Sequence, residues 1–564
     1  VSGGSSGITA TNTGIGATTI NSTAGTVIGT DFNGIYAYNG GTDLAITTAA
    51  VSGGRYGIIA QNYGSGANTI NSSAGTVTGT NAIGIFARNY GTDLTITTAA
   101  VSGGTTGIYA NNFGTGGLTI NSTAGTVAGT SGSGIVSRAQ ANASVINVGN
   151  LSTVQGGLDG INAFAIGGTI TINNFGTISN LSNTPVTRAI TATGGAVTIN
   201  NSDLITGTVL LSGLADTFNN FGGSTWNTVA GSNDFGLGVD AFNNSGLLIA
   251  GSASGVAELT NFLGLESFNN NSGGVLRMQD GGTGDVVTTS GNFVGGGGSV
   301  TMDTVLGDSS SATDLLVIQG NSSGTTTLFF NNVGGTGDFT ADNGIQVVNI
   351  VGTSAVGAFN LGAPLVAGIF EYDLYQNGIL TPADGDWYLR SSVRDIVGPT
   401  VMLPKMASAA GLAVLGSMHD RGGEAAHVNG NDDNRGGAWV RFIGTANTDT
   451  FTTTVGDFGS SNSGMFGQVG VDLFRNNNTH WGVYTATGDS EVISRDDLNA
   501  KTGGIEMDST SVGAYVSHYG DSFYFDAVLQ YSRIDAEVFG DTDSYSTEAD
   551  GWLASFEGGW EFFK

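Results

Sequence analysis

The first 150 residues repeat almost letter for letter at a spacing of fifty. Val1-Ser2-Gly3-Gly4 returns as Val51-Ser52-Gly53-Gly54 and again as Val101-Ser102-Gly103-Gly104. Repetition this close means one structural unit stacked on copies of itself, so this part of the chain cannot be an ordinary globular core. Solenoids built this way usually present surface rather than perform chemistry.

The unit divides again. The pair Gly-Ile stands at Gly7-Ile8, Gly34-Ile35, Gly57-Ile58, Gly84-Ile85, Gly107-Ile108 and Gly134-Ile135, at intervals alternating between 27 and 23 residues. One coil therefore averages 25 residues and holds three short apolar segments. The first follows Gly-Ile. The second centres on Ile20, Ile46, Ile70, Ile96 and Ile120. The third centres on Val27, Val51, Val77, Val101 and Val127. Gly, Ser, Thr, Asn and Asp lie between them. Short alternating runs bounded by turn residues are strands. Three strands per coil, repeated, predict an all-β fold, a right-handed parallel β-helix.

Alternation assigns the faces. In the first strand the Ile and the following Ala point inward and the residues between them outward. Coils stack about 4.8 Å apart, which puts equivalent residues in columns. Asn12, Asn39, Asn62, Asn89 and Asn112 then form one column at a bend, where stacked amides can bond up and down as a structural ladder. Thr9, Tyr36, Ile59, Phe86, Tyr109 and Val136 form an outward column. Tyr36, Ile59, Phe86, Tyr109 and Val136 are the candidate adhesive stripe. Stacking that merely stabilises the sheet is the plainer reading of the same column.

Composition narrows the function. Charged residues make up 11% of the chain and the net charge is −29. Lys and Arg are sparse and unclustered along the sequence, which argues against nucleic acid as a partner. The chain has no Cys, so disulfides, thiolate metal sites and Cys nucleophiles are excluded. A cysteine-free chain suits export through an oxidising compartment. No run approaches about 18 apolar residues, so no transmembrane helix is expected. The chain starts at Val1 in mid-repeat, which reads as a fragment lacking its signal peptide and further coils.

Beyond residue 150 the repeat loosens. Phe218-Asn219-Asn220-Phe221-Gly222, Phe242-Asn243-Asn244-Ser245-Gly246 and Phe268-Asn269-Asn270-Asn271-Ser272-Gly273 recur near every 25 residues. The β-helix is expected to run over 1–285. Over 286–395 the strands lengthen and aromatic residues gather, as a unit covering the open end of a solenoid requires.

Here the sequence resembles a family. Asp303-Thr304-Val305-Leu306-Gly307-Asp308, then Asp314-Leu315-Leu316-Val317-Ile318, Gly357-Ala358-Phe359-Asn360-Leu361, Tyr372-Asp373-Leu374-Tyr375 and Asp386-Trp387-Tyr388-Leu389, is similar to the C-terminal passenger region of the pertactin-like autotransporters of type V secretion. The resemblance covers about residues 285 to 564. It implies that 286–395 is an autochaperone-like cap that helps the passenger fold from its C-terminal end outside the cell. It implies outer-membrane lipid and the outer-membrane assembly machinery as partners, and a passenger at the cell surface or released from it.

Residues 400–420 are Ala- and Leu-rich and read as a short helix. With 396–436 they form a helical linker, and 422–436, rich in Gly, Asn and Asp, reads as a joint. From 437 to 564 the strands read as an antiparallel outer-membrane β-barrel. Phe523, Phe525, Ala527, Leu529 and Tyr531 share one face, and Asp526, Gln530 and Ser532 the other. Apolar-out, polar-in strands of about ten residues are the barrel signature. Trp439, Trp481, Tyr519 and Trp552 near strand ends suit interfacial girdles. About six strands are legible where family barrels have twelve, so the barrel is expected to be incomplete here.

Chemistry finds little support. His419, His427, His480 and His518 are the only histidines and all follow residue 418. A Ser-His-Asp site or a His-based metal site in the passenger is therefore excluded. Gly320-Asn321-Ser322-Ser323-Gly324 matches a nucleophile elbow in letters but joins two strands. Asp43 and Asp93, two coils and about 10 Å apart, are the pair a carbohydrate-acting enzyme would need. Both sit in Gly-Thr-Asp turns, where Asp is an ordinary turn residue. No cofactor and no metal site is expected. The sequence reads as a surface autotransporter whose passenger serves adhesion towards an unidentified surface ligand. A carboxylate glycosidase and a purely structural fibre are the alternatives.

Overall fold

The computed structural model describes residues 1–251, 255–422, 437–476, 478–496, 498–520 and 522–560. They form two compact units, Val1–Ser392 and Val393–Lys564. The expected joint at 422–436 lies, from residue 423 on, outside the described residues, as do His427 and Asp521.

The first unit is a parallel β-helix. Strand Asn33–Asn39 pairs in parallel with Tyr56–Asn62, that with Ile85–Asn89, and that with Ile108–Asn112. Ile35, Ile58, Ile85, Ile108 and Ile135 stack in register and are fully buried, as are Ala37, Ala60, Ala87 and Ala110. The second strands stack Ile20, Ile46, Ile70, Ile96, Ile120, Ile146, Ile172 and Ile199. The glycine of each Gly-Ile pair has a packing reason. A Cβ at Gly57 would lie 2.5 Å from Val77 Cγ1 and 2.6 Å from the Gly84 carbonyl oxygen. Only glycine lets the first strand of a coil close against the third strand of the same coil and the backbone of the next.

The bends are held by amides. Asn12 Nδ2 donates to Asn39 Oδ1 (2.8 Å), Asn39 to Asn62 (2.8 Å), Asn62 to Asn89 (3.0 Å) and Asn89 to Asn112 (3.0 Å). Each amide also reaches the turn that follows it. Asn89 Nδ2 donates to the carbonyls of Thr92 and Asp93 at 2.9 and 3.1 Å.

Further along, the same columns change residue type. The Ile column continues as Phe218, Phe242, Phe268 and Phe293. Trp226 stacks on Phe218 with ring centroids 4.3 Å apart and donates Nε1–H to the Gly207 carbonyl. The Phe-Asn-Asn triplets thus supply one core column and two new amide ladders. Asn174, Asn201, Asn220, Asn244 and Asn270 bond inside, and Asn121, Asn147, Asn173, Asn200, Asn219, Asn243 and Asn269 bond along the outer face.

The parallel ladder ends by changing direction. Strand Ile345–Ile350 pairs antiparallel with Trp387–Val393, and Leu365–Ala367 antiparallel with Phe370–Gln376. Trp387 packs on Phe359 at 5.5 Å. An antiparallel hairpin over the last coil covers an edge that would otherwise template pairing with another chain.

The second unit is a helix, Val397–Ala413, against an antiparallel sheet of six strands: Ala438–Thr453, Gly456–Arg475, Thr479–Arg495, Lys501–Tyr519, Phe523–Phe539 and Ser544–Trp560. Met402, Met406 and Ala410 of the helix pack with Phe466, Val492, Ile505 and Met507 of one sheet face. Gln468 and Gln530 on that face donate to the carbonyls of Val414 and Gly411, both at 2.8 Å. These strands run 16 to 20 residues, longer than the ten expected. Ten is the length of the apolar band alone. On strand Phe523–Phe539 the outer face is apolar from Phe523 to Tyr531 and charged at Arg533, Asp535 and Glu537. Trp439 is corrected to the opposite face from the girdle. Its Nε1–H donates to the Tyr515 hydroxyl at 3.0 Å, among the buried aromatics Tyr484 and Tyr515.

Candidate contact surface

The outer face of the first-strand sheet carries the residues singled out from the sequence. Tyr36, Ile59, Phe86, Tyr109 and Val136 stand in register on successive coils. Phe86 and Tyr109 stack at 5.5 Å, and Tyr56 meets Phe86 edge-on at 6.2 Å. The column is half-buried. Val136 is only 8% exposed, so the stripe is corrected to end at Tyr109. The short Val136 side chain is flanked in register by Tyr109 and Asn162.

A second column, beside the first, is the more exposed one. Tyr63, Tyr90 and Phe113 follow Asn62, Asn89 and Asn112 directly, and each is about two-fifths exposed. Their rings stack at 4.7 Å from Tyr63 to Tyr90 and 4.7 Å from Tyr90 to Phe113, with Tyr38 leaning on Tyr63 at 5.2 Å. The signal was in the sequence, one residue after each ladder Asn, but a turn position carries no strand alternation to mark it as outward.

Between the columns runs a polar one. Arg88, Asn111 and Arg138 are paired in register on successive coils. The Arg88 guanidinium lies 4.9 Å over the Phe86 ring and that of Arg138 5.8 Å over Phe164. Burial pulls the Arg138 guanidinium down from its ordinary value, opposed by the nearby Tyr109 and Asp159. Arginines fifty residues apart in sequence are scattered on the chain and two coils apart in space.

The other sequence candidates take structural places. Asp43 Oδ1 accepts from the Ala67 amide and Asp93 Oδ1 from the Gly117 amide, both at 2.8 Å. Each carboxylate ties its turn to the next coil. Ser322 is buried in strand Ser322–Asn332 and donates to Ser354 Oγ at 2.7 Å. No helix follows it, so the elbow geometry is absent. Of the histidines, His518 Nδ1 bonds Thr479 Oγ1 at 2.8 Å in the second unit. Among the described residues, no group of three or more His, Asp or Glu is placed to hold a metal ion.

A row of buried carboxylates was not anticipated. Asp216 accepts the Val197 and Ser212 amides, Asp240 the Asp216 amide, and Asp314 the amides of Gly284, Asp285 and Asp303. Burial raises Asp240 and Asp285 to about 6 and Asp314 to about 7.

Two family models match. Residues 254–374 match the autochaperone domain type 1, and 438–563 match the autotransporter β-domain. An adhesin, the BmaC autotransporter of Brucella suis biovar 1 (strain 1330), is 29% identical over 311 residues, 47% of this chain and 9% of that protein. The uncharacterized protein YuaQ of Escherichia coli (strain K12) is 26% identical over 358 residues, 56% of this chain and 25% of that protein. YdeU, uncharacterized and from the same strain, is 27% identical over 327 residues, 51% of this chain and 68% of that protein. The chain thus spans about a tenth and a quarter of the first two relatives.

Proposed function

From the premise that this chain belongs to the autotransporters, we propose that its β-helix is an adhesive surface and that the aromatic–arginine face of its first coils makes the contact. The β-domain is an outer-membrane barrel segment and the passenger lies at the cell surface. No helix among the described residues is long and apolar enough to cross a membrane. The membrane contact is assigned to the strands that match the autotransporter β-domain. The observation that carries the adhesive reading is the stacked, two-fifths exposed column Tyr63, Tyr90 and Phe113. Contiguous apolar surface of this kind marks an interaction site. The relative named an adhesin supports the same reading.

The role is non-enzymatic. Asp43 and Asp93 are occupied with backbone amides, and Ser322 is buried. The C-terminal coils serve export. Within the region matching the autochaperone domain, the buried Phe268 and Phe293 of the aromatic column bury more apolar area per coil than the Ile column does, so that region gains stability early as it emerges. Folding outside then makes return unfavourable.

The test uses cells displaying the protein. Tyr36→Ser with Phe86→Ser and Tyr109→Ser, and separately Tyr63→Ser with Tyr90→Ser and Phe113→Ser, are compared with the parent at equal surface level by antibody. Attachment to host cells should fall at least tenfold in one or both. Unchanged attachment in both, with intact display, removes this face from the adhesive reading.

A further inference from the structure

We infer that the Arg88–Asn111–Arg138 column is a binding site for a linear anionic polysaccharide, lying along the solenoid axis with carboxylates on the two arginines. This deepens the adhesive reading above and rests on it.

Four observations converge. The first is charge. Up to Ser392 the chain has six arginines and no lysine, against a strongly acidic background. Arg88 and Arg138 nonetheless share one column, and neither makes an ion pair among the described residues. Arg138 Nη1 donates to the Ser137 and Asn162 carbonyls at 3.4 Å with Asp159 nearby, but neither guanidinium is paired with a carboxylate among the described residues, which leaves fork donors for one.

The second is an unmet acceptor. Asn111 is 7% exposed and its Oδ1 has no hydrogen-bond partner, and the buried Arg88 Nε has none either. A buried polar atom left unpaired costs about 1–3 kcal/mol. Asn111 Oδ1 needs a donor and Arg88 Nε an acceptor. A sugar acid brings both, a hydroxyl and a carboxylate, on one ring.

The third is the flanking rails. Phe86 with Tyr109, and Tyr90 with Phe113, stack face to face along the axis, so their ring edges point outward. The edge is the positive part of the ring quadrupole. Such rails favour oxygen-rich, anionic ligands over cations, which seek ring faces.

The fourth is spacing. Two coils separate Arg88 from Arg138, about 10 Å. That distance selects a polymer whose carboxylates recur at that interval, such as one alternating an acidic with a neutral sugar.

The experiment is calorimetry on the purified 564-residue chain in detergent. The probe is an oligosaccharide of alternating glucuronic acid and N-acetylglucosamine, with its carboxyl methyl ester and poly-glutamate as comparisons. The expected result is binding of the acid form, at least tenfold weaker binding of the ester, and weakening with added salt. Arg88→Gln with Arg138→Gln should lower affinity at least tenfold without moving the thermal midpoint. Equal binding of acid and ester, no binding by the folded chain, or equal competition by poly-glutamate each overturns the proposal. The ester comparison needs no variant and stands if the double substitution fails to fold. If the folded parent chain binds no glycan while cells displaying it still attach, this site is wrong and the adhesive reading survives.

Discussion

Asn62 Nδ2 donates to Asn89 Oδ1 at 3.0 Å with both side chains fully buried at the bend of the coil. Asn89 is then a hub, because it also donates to Asn112 Oδ1 and to the carbonyls of Thr92 and Asp93. Asn89→Ala removes the bonds to Asn62, to Asn112 and to the Thr92 and Asp93 carbonyls, although Asn62 Nδ2 keeps the Gly66 and Ala67 carbonyls and Asn112 Oδ1 keeps the Gly114 amide. Each lost bond is worth about 1 kcal/mol, so a loss of about 3 kcal/mol is expected in urea unfolding. A loss under about 0.5 kcal/mol, the scale of a surface substitution, would mean that the column is ornament and the sheets hold the bend alone.

In the C-terminal coils the aromatic column should dominate stability. Trp226 is fully buried between Phe218, Phe242 and Phe262. Trp226→Ala should cost about 3–5 kcal/mol, whereas Ile70→Val in the N-terminal coils should cost about 1 kcal/mol. If export is driven by folding from the C-terminal end, Trp226→Ala should also reduce surface display while Ile70→Val leaves it intact. Flow cytometry with an antibody to residues 1–150 reads both.

The buried carboxylates make these coils pH-sensitive. Asp240 and Asp285 are raised to about 6 and Asp314 to about 7, because burial penalises their ionised forms. The folded state therefore holds these protons more tightly than the unfolded chain, whose carboxyls titrate near 3.9. The stabilisation is complete below about pH 4 and is lost as pH rises through 6 to 7. Thermal midpoints should fall from pH 5 to pH 8, and hydrogen exchange over 216–314 should speed up before that of the first coils. A midpoint that rises over this interval would contradict the assignment.

The coil was legible because its period is written in Gly57-Ile58 and Gly84-Ile85, where one glycine contact and one buried side chain recur. The autotransporter character of the C-terminal half was legible from its motifs and from alternation at 523–532. Columns at turns were harder to read. Tyr63, Tyr90 and Phe113 follow the bend, where the period of two lapses. Arg88 and Arg138 are fifty residues apart, so composition alone scatters what the coil brings together. Trp439 shows a different limit. Alternation separates two faces of a strand without saying which one the lipid sees, and only the packing of Tyr484, Tyr515 and the helix decides it.

That assignment of the lipid face makes its own prediction. On the outer face, Phe523 stacks with Trp560 at 5.8 Å and Tyr531 meets Trp552 at 5.2 Å. Eight residues separate these aromatic pairs, about 27 Å along the strand, which tilted matches an apolar band about 25 Å tall. Ala527 lies midway, paired with the exposed Phe556. Ala527→Arg puts a charge at the bilayer midplane and should cost about 2–4 kcal/mol. Asp535 lies beyond Tyr531, opposite Asp508 and Glu548. Asp535→Arg relieves like-charge neighbours outside the band and should be neutral or favourable. In cells making the protein, Ala527→Arg should shift it out of the heat-modifiable outer-membrane fraction while Asp535→Arg stays. The reverse order, or equal tolerance of both, would place the lipid against the other face of the sheet.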